Sequence, residues 1–284
     1  SWFAPANTNT ITRYKITERE SKILGLKLAV PILIIWLIAM YGATALNFYA
    51  KTIHKAREGR GYKLLSAGIY ILVFQLIASN FINIISNFHP AQRGAIRIFS
   101  IYESAFITLI AYITLSWGAW KLVQYAGLVK RSKQIAVGCL VVVALIGWLY
   151  VKTILANEYR GVAPVAGSQA TYGVSDILIF TTIAPQYLIA WFAGLFAVSN
   201  VVLFQLKVKG VIYKRSFRNF AIGFSMLIGM SIFLQFLSQA VSYFAKIGLN
   251  QIVGIVYGLL VAITIGYVFI ALGARKLTKL ETTV

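Results

Sequence analysis

The sequence is poor in the charged residues that cover the surface of a soluble fold. Asp, Glu, Lys and Arg together make up 12% of its 284 residues, against roughly 25% in typical soluble proteins. Apolar residues make up 59%, which is far too much apolar surface for a disordered chain. Composition therefore excludes both a soluble globular fold and disorder, and it favours a helical membrane protein.

The residues that usually carry reactive chemistry are also scarce. The single cysteine, Cys139, excludes a disulfide framework within the chain and a multi-cysteine metal site. The two histidines, His54 and His89, fall in connections that we predict on opposite sides of a membrane. They cannot form one bis-histidine haem site, so we expect no haem and no metal. Cys139 lies in an apolar run, and we expect it to be a small buried hydrophobic residue.

Motifs of common catalytic sites are missing as well. The sequence contains no phosphate-binding loop, no HExxH zinc helix and no GxSxG nucleophile elbow. The seven acidic residues are scattered along the chain rather than clustered. We therefore expect no enzymatic activity of its own, with a role as accessory subunit of a membrane enzyme left open.

What the sequence does contain is long apolar runs. A helix needs about 20 predominantly apolar residues to cross a bilayer. Seven such runs occur, at about 26–49, 65–87, 99–120, 135–155, 175–205, 217–245 and 250–274. They predict an all-α, multi-pass integral membrane protein with a seven-transmembrane-helix bundle over 22–276. A polar tail would precede it at 1–21, and a short tail would follow at 277–284.

The basic residues predict how this bundle is oriented. Most of the 27 Lys and Arg residues fall after the first, third, fifth and seventh runs. Few lie in the other connections, namely Arg93, Arg97, Lys152, Arg160 and Lys246. The positive-inside rule then puts the N-terminus outside and the C-terminus in the cytoplasm. The net charge of +20 indicates anionic lipid headgroups at the cytoplasmic connections as partners, and no nucleic acid.

Polar side chains recur inside the runs at helical spacing. An ionisable group at membrane depth is expensive and often functional, and Glu103 in the third run is the clearest example. A candidate outward-opening polar cavity between spans 2, 3, 5, 6 and 7 would be lined by Gln75, Asn80, Asn83, Glu103, Thr108, Gln186, Gln235, Gln239, Asn250 and Tyr257. The alternative is that these groups only form hydrogen bonds between helices.

Small residues in the seventh run indicate a surface for close helix contact. Gly254 and Gly258 form a GxxxG motif, which Ala262 and Gly266 continue. Small residues at this spacing let two helix backbones approach, so we expect a packing face against a neighbouring helix or another subunit.

Seven spans with an external N-terminus invite comparison with retinal proteins, but the key residue is missing. A retinal Schiff base needs a lysine in the middle of the last span, and residues 250–274 contain none. We therefore expect no retinal and no other cofactor.

Two functions remain after these exclusions. The first is a non-catalytic membrane subunit that scaffolds a larger protein assembly through helix packing and its basic cytoplasmic connections. The second is a transporter or sensor for a small molecule or ion that uses the polar cavity.

Overall fold

The computed structural model describes residues 18–53, 56–88, 93–159, 176–240 and 249–281. Apart from short turns these residues form seven α-helices. They are α1 (Glu18–Thr52), α2 (Ala56–Phe88), α3 (Arg93–Tyr125), α4 (Val129–Tyr159), α5 (Asp176–Lys207), α6 (Val211–Ala240) and α7 (Leu249–Glu281). The predicted all-helical class is confirmed.

Each helix contains a segment long and apolar enough to cross a membrane. The segments are Val30–Thr52, Glu58–Ile82, Phe99–Tyr125, Val129–Lys152, Ile183–Lys207, Val211–Leu234 and Tyr257–Lys279. The protein is therefore a multi-pass bundle of seven apolar helices. Both end helices extend past the predicted limits, because α1 already begins at Glu18 and α7 continues through Glu281. Residues 1–17 of the predicted polar tail lie outside the described residues.

The helix ends rich in lysine and arginine are joined by very short connections. Residues 53–55, 126–128 and 208–210 separate α1 from α2, α3 from α4, and α5 from α6. Most of the basic residues that we assigned to loops, such as Lys51, Arg60 and Lys63, therefore lie on the helices themselves. These helices continue past their apolar segments, because charged residues with good helix propensity extend a helix without cost to its hydrogen bonding.

The turn between α3 and α4 shows how such a short connection is made. Gly127 has φ of 73°, a left-handed conformation that glycine adopts without a Cβ clash. Its N–H donates to the Gln124 carbonyl at 3.2 Å, and the Leu128 N–H donates to the Val123 carbonyl at 3.0 Å. This pair of bonds is a Schellman motif, which satisfies the last carbonyls of α3 and reverses the chain.

Six of the seven helices form a closed ring. The packed pairs are α1 with α2, α2 with α3, α3 with α5, α5 with α6, α6 with α7, and α7 with α1. α4 stays outside this ring and packs mainly on α5, with slight contacts to α3 and α6. The ring therefore closes without the fourth helix.

Close backbone approach holds neighbouring helices of the ring together. A Cβ added to Gly223 of α6 would lie 2.6 Å from the carbonyl oxygen of Gly266 on α7. A Cβ on Gly118 of α3 would lie 2.9 Å from the carbonyl oxygen of Gly61 on α2. Glycine is required where two helix backbones touch in this way, because any side chain would push them apart.

Aromatic side chains fill the ring toward its basic end. The Tyr49 and Tyr62 rings meet edge to face at 5.0 Å between centroids, and Phe217 packs against Phe204 at 4.8 Å. Phe220 continues the stack along α6. All five side chains are buried. Edge-to-face pairs of this kind stabilise a core beyond the burial of their area, so this end of the ring is packed with side chains.

Candidate functional site

Gln75 and Asn80 of α2, both predicted to line a cavity, form hydrogen bonds with other protein groups. The Gln75 amide donates to the hydroxyl of Ser104 on α3 at 2.9 Å and to that of Ser79 at 3.4 Å. The Asn80 amide donates to the backbone carbonyl of Leu76, one turn earlier in α2, at 2.7 Å. Gln75 thus ties α2 to α3, whereas Asn80 satisfies its own donor locally.

The centre of the ring is crossed by a tyrosine. Tyr112 of α3 is buried, and its hydroxyl donates to the Leu227 carbonyl of α6 at 3.4 Å. Thr108, one turn from Tyr112, is buried beside it on the inner face of α3. This polar contact joins α3 to α6, two helices of the ring that are separated by α5.

Gln186 and Tyr257 are placed on α5 and α7 respectively. The side-chain oxygen of Gln186 is buried without a hydrogen-bond partner among the described residues. Tyr257 is half-buried. The side chains of Asn83, Gln235, Gln239 and Asn250 lie outside the described part of the structure. Among the described candidates, only Thr108 is buried next to the central Tyr112 contact.

Glu103 occupies a different position from the rest of the predicted lining. Ser104, the next residue, points to α2 through Gln75. Ala105 packs with Ile183 and Tyr187 of α5. Glu103 lies about 160° around the helix from Ala105 at 100° per residue, so it faces away from α5. Both carboxylate oxygens are buried without a hydrogen-bond partner among the described residues.

The small residues of α7 divide between two faces. Gly254 and Gly258 are exposed, and a Cβ added to either would meet nothing within 4 Å. Gly266 is buried, with Leu227 of α6 at 3.2 Å from its built Cβ. Ala262, half-buried, lies between these two faces. Among the described residues, the contact of this stripe with α6 is found at Gly266.

Sequence reasoning missed a buried carboxylate at the basic end. Glu58 lies in the first turn of α2 and accepts a hydrogen bond from the Tyr62 hydroxyl at 3.1 Å. The Tyr49 hydroxyl donates to that of Tyr213 at 3.2 Å, so α1, α2 and α6 meet at this cluster. The sequence analysis places Glu58 in the connection between the first two apolar runs, at about 26–49 and 65–87. The spacing of Glu58 and Tyr62 by four residues was the available signal for a helix there.

α4 is attached to α5 through a narrow line of contacts. The Ser132 hydroxyl donates to the Asn200 side-chain oxygen at 2.7 Å, and both side chains are fully buried. Cys139 Sγ lies 3.8 Å from the Ser199 hydroxyl, and the Tyr150 ring meets the Trp191 ring at 5.6 Å. Polar contacts at one end and aromatic contacts at the other therefore fix the position of α4.

The described residues include no group of three or more His, Cys, Asp or Glu side chains that could hold a metal ion. No protein-family model matches this sequence, and neither the curated proteins nor the solved structures yield a match. The function must therefore be argued from the arrangement of the bundle itself.

Proposed function

We propose that this protein is a non-catalytic integral membrane subunit that scaffolds a larger membrane assembly. The observation that carries the proposal is the position of α4, because the six-helix ring closes without it. A helix that the ring does not need for closure is available to hold a neighbouring subunit.

The composition of the outer face of α4 supports this role. Its exposed side chains are large and apolar over the length of the span, including Leu140, Val141, Leu145 and Trp148. In a bilayer these side chains meet either lipid or another helix. Because lipid is as apolar as leucine, association there depends on shape and packing. A long, regular, apolar helix surface provides that shape.

The polar side chains inside the bundle also fit a scaffold. Gln75, Ser132 and Tyr112 each join two helices through a hydrogen bond. Interhelical hydrogen bonds in membranes average about 0.6 kcal/mol, so several together fix the mutual positions of helices. A scaffold needs such a rigid frame, whereas a carrier needs polar groups that are free to bind a ligand.

The orientation is part of the proposal. The basic helix ends, with exposed side chains such as Lys51, Lys130, Lys214 and Arg275, would face the cytoplasm. There they would bind anionic headgroups, each contributing about 1 kcal/mol near the surface. Reporter fusions test this arrangement: a fusion after Val284 should report the cytoplasm, and one in 160–175 should report the outside.

Site-specific photocrosslinking in the native membrane tests the scaffold. A photoreactive amino acid at Leu145 of α4 should crosslink to one defined protein. The matched control is Leu37 of α1, which is equally apolar and similarly exposed, at 64% against 59%. At Leu37 we expect lipid adducts only.

Native mass analysis after mild solubilisation completes this test. We expect a co-migrating set of fixed stoichiometry that is lost when Leu140, Val141 and Leu145 are all changed to alanine. A monodisperse, partner-free monomer together with lipid adducts at both positions would contradict the scaffold.

The second candidate is a transporter or sensor, and a specific observation favours it. The buried oxygens of Glu103 and Gln186 have no hydrogen-bond partner among the described residues, as expected of groups kept for a ligand. Ligand binding or flux that is lost in Gln186→Leu but retained in Ser132→Ala would support this function. Equal behaviour of both variants would count against it.

A further inference from the structure

Glu103 belongs to the outer, apolar face of α3. Residues four before, three after and seven after it share its helix face. These are Phe99, Phe106 and Ile110, which are exposed by 62%, 56% and 39%. All four residues lie in the apolar span Phe99–Tyr125. The carboxyl group is therefore set within a surface that otherwise faces lipid or another membrane helix.

The carboxyl oxygens are nevertheless covered by the protein itself. Both oxygens are buried, and neither has a hydrogen-bond partner among the described residues. The Gln75–Ser104 bond sets the antiparallel register of α2 and α3 at this level. Residues 75–82 of α2, which follow from that contact, contain no ionisable side chain. The neighbouring helix therefore offers no cation.

In the described part of the structure, the other packed helices supply no counter-charge either. On α3 itself, Tyr102 packs with the aromatic cluster on the α5 side, where α5 contributes Tyr187. On α4, the Lys152 ammonium lies over the ring of its own neighbour Trp148, at 5.1 Å. The side chains of Arg93 and Arg97 lie outside the described part of the structure, and the experiment below includes Arg97 for that reason.

A carboxylate anion in this setting would be strongly disfavoured. Burial of an unpaired charge away from water is far more costly than burial of the neutral acid. Charged groups in membrane spans are normally paired or in contact with water for the same reason. The neutral acid removes most of this cost and leaves only an unpaired hydroxyl and carbonyl.

We propose that Glu103 is a proton-binding site within the membrane, whose carboxyl group keeps its proton at neutral pH. The ligand is a proton, bound on the outer face of α3. Release requires water or a cation to reach the carboxyl group. The inference does not depend on the scaffold function, because a proton site on the outer face is compatible with a free bundle and with an assembled one.

Infrared spectroscopy of the intact protein in lipid vesicles tests the proposal. Wild type minus Glu103→Gln at pH 7 should show the carbonyl stretch of a protonated carboxylic acid. Glu58→Gln is the matched control, because Glu58 is also buried but accepts a hydrogen bond from Tyr62. That variant should keep the Glu103 band. Glu103→Asp retains a carboxyl group and should shift the band rather than remove it, which identifies the band even if Glu103→Gln folds poorly.

The spectrum of an ionised carboxylate at Glu103 would overturn the proposal. If the difference spectrum at pH 7 contains the two stretches of an ionised carboxylate, Glu103 is charged. An ionised Glu103 that becomes protonated in Arg97→Gln would identify an ion pair with Arg97 instead of a proton site.

Thermal unfolding at several pH values gives a second readout. The folded wild type keeps this proton while the unfolded chain releases it, so its melting temperature should fall relative to Glu103→Gln as the pH rises above the ordinary pKa of a carboxyl group. A constant difference across pH 5 to 9 would contradict the proposal, because a carboxyl group that is ionised in both the folded and the unfolded state does not change stability with pH.

Discussion

The adjacent helices α4 and α5 are similarly long and apolar, yet they have opposite roles in the bundle. In the apolar span of α4, 22% of the residues are buried, whereas in the span of α5 the share is 56%. α5 packs on α3, α4 and α6, whereas α4 has α5 as its main neighbour. Apolar composition therefore identifies which segments cross a membrane, but it does not show which of them form the interior.

The physical reason lies in the solvent around the bundle. In water an apolar face must be buried, so hydrophobic patterning marks the inner face of a helix. In lipid both faces are apolar, and close packing and hydrogen bonds decide which helices contact each other. Three predictions test the comparison of α4 and α5, in order of decreasing effect.

The largest effect is expected from Trp191→Ala in α5. Trp191 is fully buried and contacts the rings of Tyr150 and Tyr187 at 5.6 and 6.2 Å. Its removal leaves a cavity, and we expect a loss of about 3 kcal/mol in the free energy of unfolding. Trp148→Ala on α4 is the matched control, since Trp148 is 60% exposed. Its loss should stay below about 1 kcal/mol, the size of its cation–π contact with Lys152.

Reversible unfolding in mixed micelles, followed by tryptophan fluorescence and circular dichroism, measures both variants. Equal losses for the two would mean that α4 is as deeply packed as α5, and the comparison would fail.

A smaller loss of unfolding free energy is expected when the Ser132–Asn200 hydrogen bond between α4 and α5 is removed. Ser132→Ala removes the donor to Asn200, whose side-chain nitrogen already has no partner among the described residues. A buried amide left without partners costs about 1–2 kcal/mol. Ser199→Ala is the control, because the Ser199 hydroxyl lies 3.8 Å from Cys139 Sγ and forms only a weak contact.

The double variant Ser132→Ala with Asn200→Leu sharpens this prediction. Replacing both partners by apolar groups should recover most of the stability, since no buried polar group is then left unpaired. A double variant as unstable as the sum of the two single variants would show that the bond itself is not responsible.

The smallest effect compares two glycines on α4. A Cβ at Gly147 would lie 2.7 Å from a methyl group of Leu188 on α5, whereas Gly138 is exposed and has nothing within 4 Å. Gly147→Ala should destabilise by about 1 kcal/mol through overpacking. Gly138→Ala should be neutral or stabilising by up to about 1 kcal/mol, because alanine favours the helix. The opposite sign of the two changes in unfolding free energy is the result to look for.

The number of helices and their approximate limits could be predicted because each span is a local property. A run of about 20 apolar residues crosses the bilayer as a helix whatever its neighbours are, since every backbone group must be hydrogen-bonded within the segment. The helix ends were less predictable. Glu58 and Lys63 looked like loop residues because they are charged, but α2 includes both.

The candidate site could be predicted less well, because it depends on which helices are neighbours. Gln75 and Glu103 both appear as polar residues in apolar runs. Only the packing shows that Gln75 bonds Ser104 across the α2–α3 contact while Glu103 belongs to the outer stripe of α3. Similarly, Gly258 and Gly266 belong to one sequence motif, but among the described residues Gly266 meets α6 and Gly258 does not.

The sequence by itself determined that this chain is a membrane protein of seven apolar helices, because lipid accepts only segments that are apolar and internally hydrogen-bonded. The tertiary structure decided that six helices close a ring and that α4 remains outside it. It also decided which polar groups find partners. Packing between helices is a matter of shape at each contact, and shape emerges only when distant segments such as Gly223 and Gly266 come together.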